Sequence, residues 1–162
     1  MNDLLQQTNA NHKPTWPDAL TAPAPEQVQQ GLTDFWQALA TLPDLHQRDE
    51  QLLMAELTAR LRGLILKMML ALNGIARPTN TRHLNAYLGQ SQRSAIEATL
   101  IAPAVNGDAW LGQAVALLVI YRWYAPQLVE KYDLTYPQEL ETTVWTQLCT
   151  TLPDWPVSVT TD

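Results

Sequence analysis

The chain has 162 residues, 16 acidic and 10 basic side chains, one cysteine and a formal net charge of −6 at pH 7. This length favours a single domain that is stable without a disulfide or a metal. The negative charge argues against generic DNA binding, and a lone cysteine fits a reducing compartment, so a cytoplasmic protein is expected. The N-terminal residues lack a basic region followed by an apolar one, so no secretory signal is expected.

Residues 1–24 are rich in proline and poor in large apolar groups, which predicts a flexible or extended arm. Trp16 in this arm is expected to dock on the same chain in preference to a partner, because an exposed Trp is disfavoured. The first predicted helix begins at Pro25, since proline suits the first turn, and ends at Pro43. Its apolar stripe has spacings of three and four residues and consists of Val28, Leu32, Phe35, Trp36 and Leu39.

The second predicted helix runs from about residue 47 to residue 72 and ends at Asn73-Gly74, a pair typical of a left-handed cap. Its main apolar stripe is Leu53, Leu57, Leu61, Leu64, Met68 and Leu72. A second apolar face, at Leu66 and Leu70, lies on the opposite side of its C-terminal half. This half is therefore expected to lie between two neighbouring elements or to contact another subunit.

The next segment predicts a turn and two short helices. The residue before Pro78 avoids helical geometry, and a short helix is expected over residues 81–88. Ser91 is expected to cap a second one, which ends at Pro103. Asn106-Gly107-Asp108 is then expected to be a turn with an N-cap, after which the next helix begins.

Residues 108–124 predict the central helix, because from Ala109 to Tyr121 the only polar side chain is Gln113, and a helix that is apolar on all sides needs neighbours on most of them. It is too short to span a bilayer, which requires roughly 20 apolar residues. Pro126 is expected to kink or break the helix near Trp123. Pro137 opens the last helix, in which Cys149 is interpreted as a small core residue. The core face of this helix is Leu140, Val144, Leu148 and Leu152.

No stretch alternates apolar and polar residues over the length of a strand between turn signals, so the fold class is all-α. We expect a bundle of about five main helices over residues 25–153, built around the helix at 108–124. The arm at 1–24 precedes it, and an irregular tail at 154–162, with Trp155 tucked back, follows it.

Charge is distributed unevenly along the chain. Between Leu57 and Ile96 there is no acidic residue, but there are six basic ones: Arg60, Arg62, Lys67, Arg77, Arg82 and Arg93. We predict an anion-binding segment over residues 77–93, because basic groups there flank two helix starts, where free N–H groups favour a phosphate or nucleotide. Its candidate binding residues are Arg77, Arg82, His83 and Arg93.

The alternative is that these cations pair with the acidic flanks of the same chain, such as Glu130, Asp133, Glu139 and Glu141. Arg122 is a further candidate, since an arginine in an apolar helix is rarely buried without a partner. It is expected to form a structural ion pair with a carboxylate such as Glu97, to stack on a neighbouring aromatic ring, or to belong to a ligand pocket.

Signatures of dinucleotide, P-loop and zinc sites are missing from the sequence, so no cofactor and no metal is expected. Arg77 and His83 resemble the Arg-x4–6-His signature of HEPN-type ribonucleases, which are dimeric helical bundles. In that interpretation a cation holds the phosphate while His83 moves a proton.

The segment at 64–88 is similar to helical domains that accompany small nucleotidyltransferases. There a long helix ends in a Leu-Asn pair, followed by a turn with proline and a short basic-aromatic helix. The matching residues here are Leu72, Asn73, Pro78, Arg82, His83 and Leu84. The chain has no Gly-Ser loop followed by paired aspartates, so the resemblance implies the non-catalytic half, which helps to hold a nucleotide or substrate or serves as a companion subunit.

The favoured prediction is therefore a non-catalytic binding or interaction protein, a homodimer or the companion of another protein. One alternative is a HEPN-like ribonuclease that uses Arg77 and His83. Another is a structural assembly protein whose contact surface is the second apolar face of the helix that ends at Leu72.

Overall fold

The computed structural model describes residues 16–100 and 106–159. These residues form six α-helices, five of them with nine residues or more, and no strand, which confirms the all-α bundle. The elements are α1 (Pro25–Leu39), α2 (Leu42–Gln47), α3 (Gln51–Leu72), a 3-10 turn (Leu84–Tyr87), α4 (Gln90–Ala98), α5 (Gly107–Tyr132) and α6 (Gln138–Thr151).

Pro43 does not only follow the end of the first helix, because a further short helix begins there. It lies in the first turn of α2, where a proline costs no helical hydrogen bond. Asp49 then adopts a left-handed conformation, with φ of 55°, and separates α2 from α3. The prediction that one long helix starts at residue 47 was therefore wrong, and α3 begins four residues later at Gln51.

The centre of the bundle is shared by α3 and α5. α3 packs against α1, α2, α4 and α5, and the α3–α5 contact is the most extensive. Leu61 and Ile65 of α3 are completely buried, as are Leu117 and Leu118 of α5. The prediction that α5 is a core helix is confirmed, although α3 is equally central.

α5 runs without interruption through Pro126, so the expected break near Trp123 is wrong. The side-chain amide of Gln127 donates to the Trp123 carbonyl at 2.9 Å. The predicted cap at the other end is confirmed, because the Asn106 side chain accepts a hydrogen bond from the Ala109 N–H at 2.9 Å.

A second, smaller apolar cluster lies at the C-terminal end of α3. It consists of Leu70, Ile75 and Tyr87, all completely buried, and Trp16 packs on Tyr87 edge-on with 6.1 Å between the ring centroids. The second apolar face of α3, at Leu70, is thus covered by other parts of the same chain. This was the first of the two expectations, the other being contact with another subunit. Trp16 docks intramolecularly as predicted, while residues 1–15 of the expected arm lie outside the described residues.

Residues 16–24, which we call the N-terminal strap, are fixed to the body by polar contacts as well. The Asp18 carboxylate accepts hydrogen bonds from the hydroxyls of Thr81 and Tyr87, each at 2.6 Å. The Ala76 N–H donates to the Thr21 carbonyl at 2.7 Å. The strap has no regular secondary structure, but it is part of the packed body.

The last helix, α6, and the tail that follows it complete the bundle. Val144, Leu148 and Leu152 are buried as predicted, and Trp155 folds back and is 5% exposed. Cys149 is exposed, so its interpretation as a core residue was wrong. No helix within residues 16–100 or 106–159 combines the length and the apolar character that crossing a membrane requires.

Candidate functional site

The segment predicted to bind anions has fewer helix starts than expected. Residues 81–88 form only a 3-10 turn of 4 residues, in place of a helix with an oriented dipole. α4 is capped at Gly89, whose N–H donates to Gln92 Oε1 at 2.8 Å, and Ser91 lies inside its first turn. The expectation that Ser91 caps this helix is wrong, because Gly89 is the N-cap. The buried Gln92 side chain accepts the Gly89 N–H, so this N–H is not available to an anion.

The candidate cations of this segment point to different surroundings. Arg77, Arg82 and His83 are exposed on the connection between α3 and the 3-10 turn. Arg93 pairs with Glu97 of its own helix at 2.9 Å, and their side chains are 47% and 53% exposed. An exposed pair of this kind contributes only about 0.3–0.5 kcal/mol.

Arg122 belongs to a different part of the molecule, where α5, α6 and the tail meet. Its guanidinium pairs with Glu141 at 2.7 Å, donates to the Val159 carbonyl at 2.7 Å, and lies 4.7 Å from the ring centroid of Trp145. The expected partner Glu97 was wrong, because it lies on α4 and pairs with Arg93 there. Arg122 is thus held by three structural contacts.

Among the described residues, pairing within the chain holds for Arg93, whose partner is Glu97, but no residue of the basic segment pairs with Glu130, Asp133, Glu139 or Glu141. Glu141 pairs with Arg122. Within residues 16–100 and 106–159, neither Lys67 nor Arg77 takes part in an ion pair or a side-chain hydrogen bond. These two cations are therefore available to a ligand.

Lys67 and Arg77 line one cleft, which lies between α1 and the C-terminal half of α3 and has a volume of about 390 Å³. Small-molecule sites have volumes of roughly 300–1,000 Å³. Buried aliphatic side chains form its floor, and they are Val28, Leu64, Met68, Ala71 and Ile75. On the α1 side the cleft presents Gln27, Gln30 and Asp34.

The antiparallel arrangement of α1 and α3 shapes this cleft. The hydrogen bond from Ala76 to Thr21 places the chain just before α1 beside the chain just after α3. Pro23 of the strap and Arg77 therefore stand at one end, and Asp34 stands towards the other. Gly31 keeps the α1 wall open, since a Cβ added there would meet no atom within 4 Å.

Arg77 is the only residue of the cleft lining that was predicted from the sequence as a binding residue. Lys67 was counted in the basic segment but not singled out, although it is the only charged residue between Gly63 and Leu72. An isolated lysine in such an apolar stretch is a usable signal for a charged group at the edge of a core. Asp34 and the two glutamines carry no comparable signal, because they look like ordinary solvent-facing residues of an amphipathic helix.

The lining of the cleft consists of apolar, amide, carboxylate and basic side chains. Its described lining contains no His, Cys, Ser, Thr or Tyr side chain, and His83, the proposed partner of Arg77 in a HEPN-like site, is not part of it. The structure also places Arg77 and His83 outside any helix, whereas the family carries its motif on one. In the described ranges no three His, Cys, Asp or Glu side chains are grouped so as to hold a metal ion.

Asp18, Thr81 and Tyr87 form a hydrogen-bonded cluster under the strap, and the pKa values of Asp18 and Tyr87 are shifted there. The hydrogen bonds from Thr81 and Tyr87 hold the pKa of Asp18 below its ordinary value of 3.8, with a smaller contribution from the charge of His83. Desolvation raises the pKa of Tyr87, and the hydrogen bond to Asp18 adds to this. The cluster is thus an ionised carboxylate held by two neutral hydroxyls, which suits an anchor for the strap.

No family model matches the sequence, and no curated protein and no solved structure matches it either.

Proposed function

We propose that this protein is a non-catalytic binding protein that holds an anionic group of its ligand between Lys67 and Arg77. The observation that carries this proposal is that Lys67 and Arg77 line the same cleft, and that neither has an ion pair or a side-chain hydrogen bond within residues 16–100 and 106–159. Both cations are exposed, so solvent and salt screen their attraction for an anion, and binding should be strongest at low ionic strength. Carboxylate and phosphate groups are the anions that Arg and Lys bind best.

The described lining contains no His, Cys, Ser, Thr or Tyr side chain, and this favours binding over catalysis. General acid–base chemistry needs a titratable side chain within hydrogen-bond reach of the reacting atom. The carboxylate of Asp34 is the one acidic group in the lining, and it accepts a hydrogen bond from Gln30 at 2.8 Å.

The test is a ligand panel measured by isothermal titration calorimetry at low ionic strength, with inorganic phosphate, AMP and capped acidic peptides as probes. The double variant Lys67→Glu with Arg77→Glu should lose binding by at least about tenfold, since two attractions become repulsions. Both side chains are exposed, so circular dichroism and the unfolding midpoint should change little.

The matched control is Arg82→Glu with Arg93→Glu, which changes the net charge by the same amount outside the cleft. It should leave binding within about twofold of the wild-type value. A larger loss in the control than in the cleft variant would place the anion site on residues 77–93 as a whole and would refute the cleft. The variant Gly31→Leu fills the cleft without any change of charge and should also weaken binding.

A second candidate function is the companion of a nucleotidyltransferase. The segment at 64–88, which resembles the helical domains of that group, contributes seven residues to the cleft lining, namely Leu64, Lys67, Met68, Ala71, Ile75, Ala76 and Arg77. In this version the anion is a nucleotide phosphate, and the protein is a cytoplasmic homodimer or a subunit of a larger complex. Binding of AMP or ATP that requires Lys67 and Arg77 would support it.

A further inference from the structure

The cleft carries charges of both signs, and their positions restrict the ligand more than the two cations do alone. Asp34 faces the same space as Lys67 and Arg77. Its carboxylate accepts a hydrogen bond from Gln30, but among the described residues it forms no ion pair. A ligand that pairs with the carboxylate of Asp34 as well as with the two cations therefore has a basic group in addition to an acidic one.

The distance between the two ends follows from helix geometry. Pro23 of the strap stands beside Arg77 at one end, and Asp34 lies nine positions after Pro25, the first residue of α1. At 1.5 Å per residue the helical part of this span is roughly 13.5 Å long, and Pro23 lies two residues beyond it. An extended peptide covers about 3.3–3.6 Å per residue, so the cleft corresponds to about four to five residues.

The two glutamines on the α1 wall provide complementary hydrogen-bonding groups. Gln27 accepts the Ala24 N–H through its Oε1, at 3.3 Å, which leaves its amide N–H groups to donate. Gln30 donates to Asp34 through its Nε2, which leaves its Oε1 to accept. A donor and an acceptor side by side match the C=O and N–H groups of a peptide main chain.

The rest of the lining favours a peptide over a nucleotide. Its described residues include no aromatic side chain on which a base could stack, and its floor is aliphatic. Asp34 would repel the phosphate of a nucleotide that filled the cleft. The chain itself also shows how an extended segment is accommodated at this end, since the strap runs beside Ala76 and is bonded through the Thr21 carbonyl.

We infer that the ligand of this cleft is a short peptide segment of about four to five residues, bound in an extended conformation. Its acidic group lies at the end of Arg77, its basic group at Asp34, and the apolar side chains between them rest on the floor formed by Leu64, Met68 and Ala71. This inference rests on the proposed function, because it identifies the ligand class of the same cleft.

The experiment uses three synthetic libraries of pentapeptides with acetylated and amidated ends and three randomised apolar central positions. One library has an acidic and a basic residue at the two ends, in both orders, the second has only the acidic residue, and the third has neither. Binding to the full-length protein is measured by equilibrium dialysis with mass spectrometry, beside AMP and inorganic phosphate.

We expect the library with both charges to bind most tightly, and the uncharged library to bind least. The variant Asp34→Asn should weaken the library with both charges by about two- to fivefold and leave the acid-only library unchanged. This difference would not arise if Asp34 had a merely structural role, since a distorted cleft would weaken both libraries.

The outcomes separate this inference from the proposed function. If AMP or phosphate binds through Lys67 and Arg77 while no peptide library does, the peptide inference is overturned and the anion cleft stands. If peptides bind equally well with and without a basic residue, the role of Asp34 is refuted. If no probe binds in a manner sensitive to Lys67→Glu with Arg77→Glu, both proposals fail.

Discussion

Replacing Arg122 by methionine should destabilise the protein by about 2–4 kcal/mol. The Arg122 guanidinium forms an ion pair with Glu141 and donates a hydrogen bond to the Val159 carbonyl, both at 2.7 Å. The side chain of Arg122 is only 25% exposed, and that of Glu141 only 13%. Hydrogen bonds to charged groups contribute about 1.5–3 kcal/mol each. The contact with Trp145 adds about 0.5–1 kcal/mol, while the methionine retains part of the apolar packing.

The comparison variant is Arg93→Met, because its pair with Glu97 has a similar distance, 2.9 Å, but is about half exposed on both sides. Its loss should cost no more than about 0.5 kcal/mol. Both are measured by urea denaturation followed by circular dichroism. For a chain of this size the Arg122 variant should also unfold roughly 4–16 °C lower.

The double variant of Arg122→Met with Glu141→Gln tests the mechanism. If the ion pair dominates, this variant should be less destabilised than the sum of the two single changes, since the uncompensated carboxylate is gone. A loss for Arg122→Met that stays within about 0.5 kcal/mol of that for Arg93→Met would refute the reasoning, because burial would then make no difference to the strength of the pair.

Two further predictions concern other parts of the body. Gly107→Ala should destabilise by about 1 kcal/mol in the same assay, because the new Cβ would lie 2.9 Å from His46 Nε2, whereas Gly112→Ala, with nothing within 4 Å, should be neutral or stabilising. Because the folded pKa of Asp18 is lowered from 3.8, the anchoring of the strap is complete above that pH and is lost as the pH falls through the lowered pKa. The NMR signal of the Trp16 indole should report this change, and Asp18→Asn should abolish its pH dependence; an unchanged signal down to acid unfolding would count against the anchor.

The fold could be predicted where apolar periodicity and caps agree. Residues 57–72 and 109–121 contain too many large apolar side chains to be anything but core helices, and Asn106 and the Asn73-Gly74 pair mark helix ends by local chemistry alone. Prolines were less informative. Pro43 begins a helix turn and Pro126 is accommodated inside α5, because the effect of a proline depends on which N–H it removes and on what packs around it.

The site was less predictable because it depends on which cations the fold leaves unpaired. Arg77, Arg93 and Arg122 were all predicted as binding residues. In the structure, however, Arg93 pairs with Glu97 and Arg122 pairs with Glu141. The partner of Arg122 lies 19 positions away on another helix, so no spacing rule could identify it. The cleft itself forms where α1 and α3 pack against each other, and its facing residues are far apart in the chain.

The two apolar clusters also have a consequence for local stability. Lys67 stands on the helix that anchors the main core, whereas the wall at Pro23 belongs to a strap held by the small cluster around Tyr87. A unit with so few buried contacts opens locally at a lower free energy than the whole domain unfolds. The strap end of the cleft, at Arg77, is therefore expected to open locally at a lower free energy than the end at Asp34.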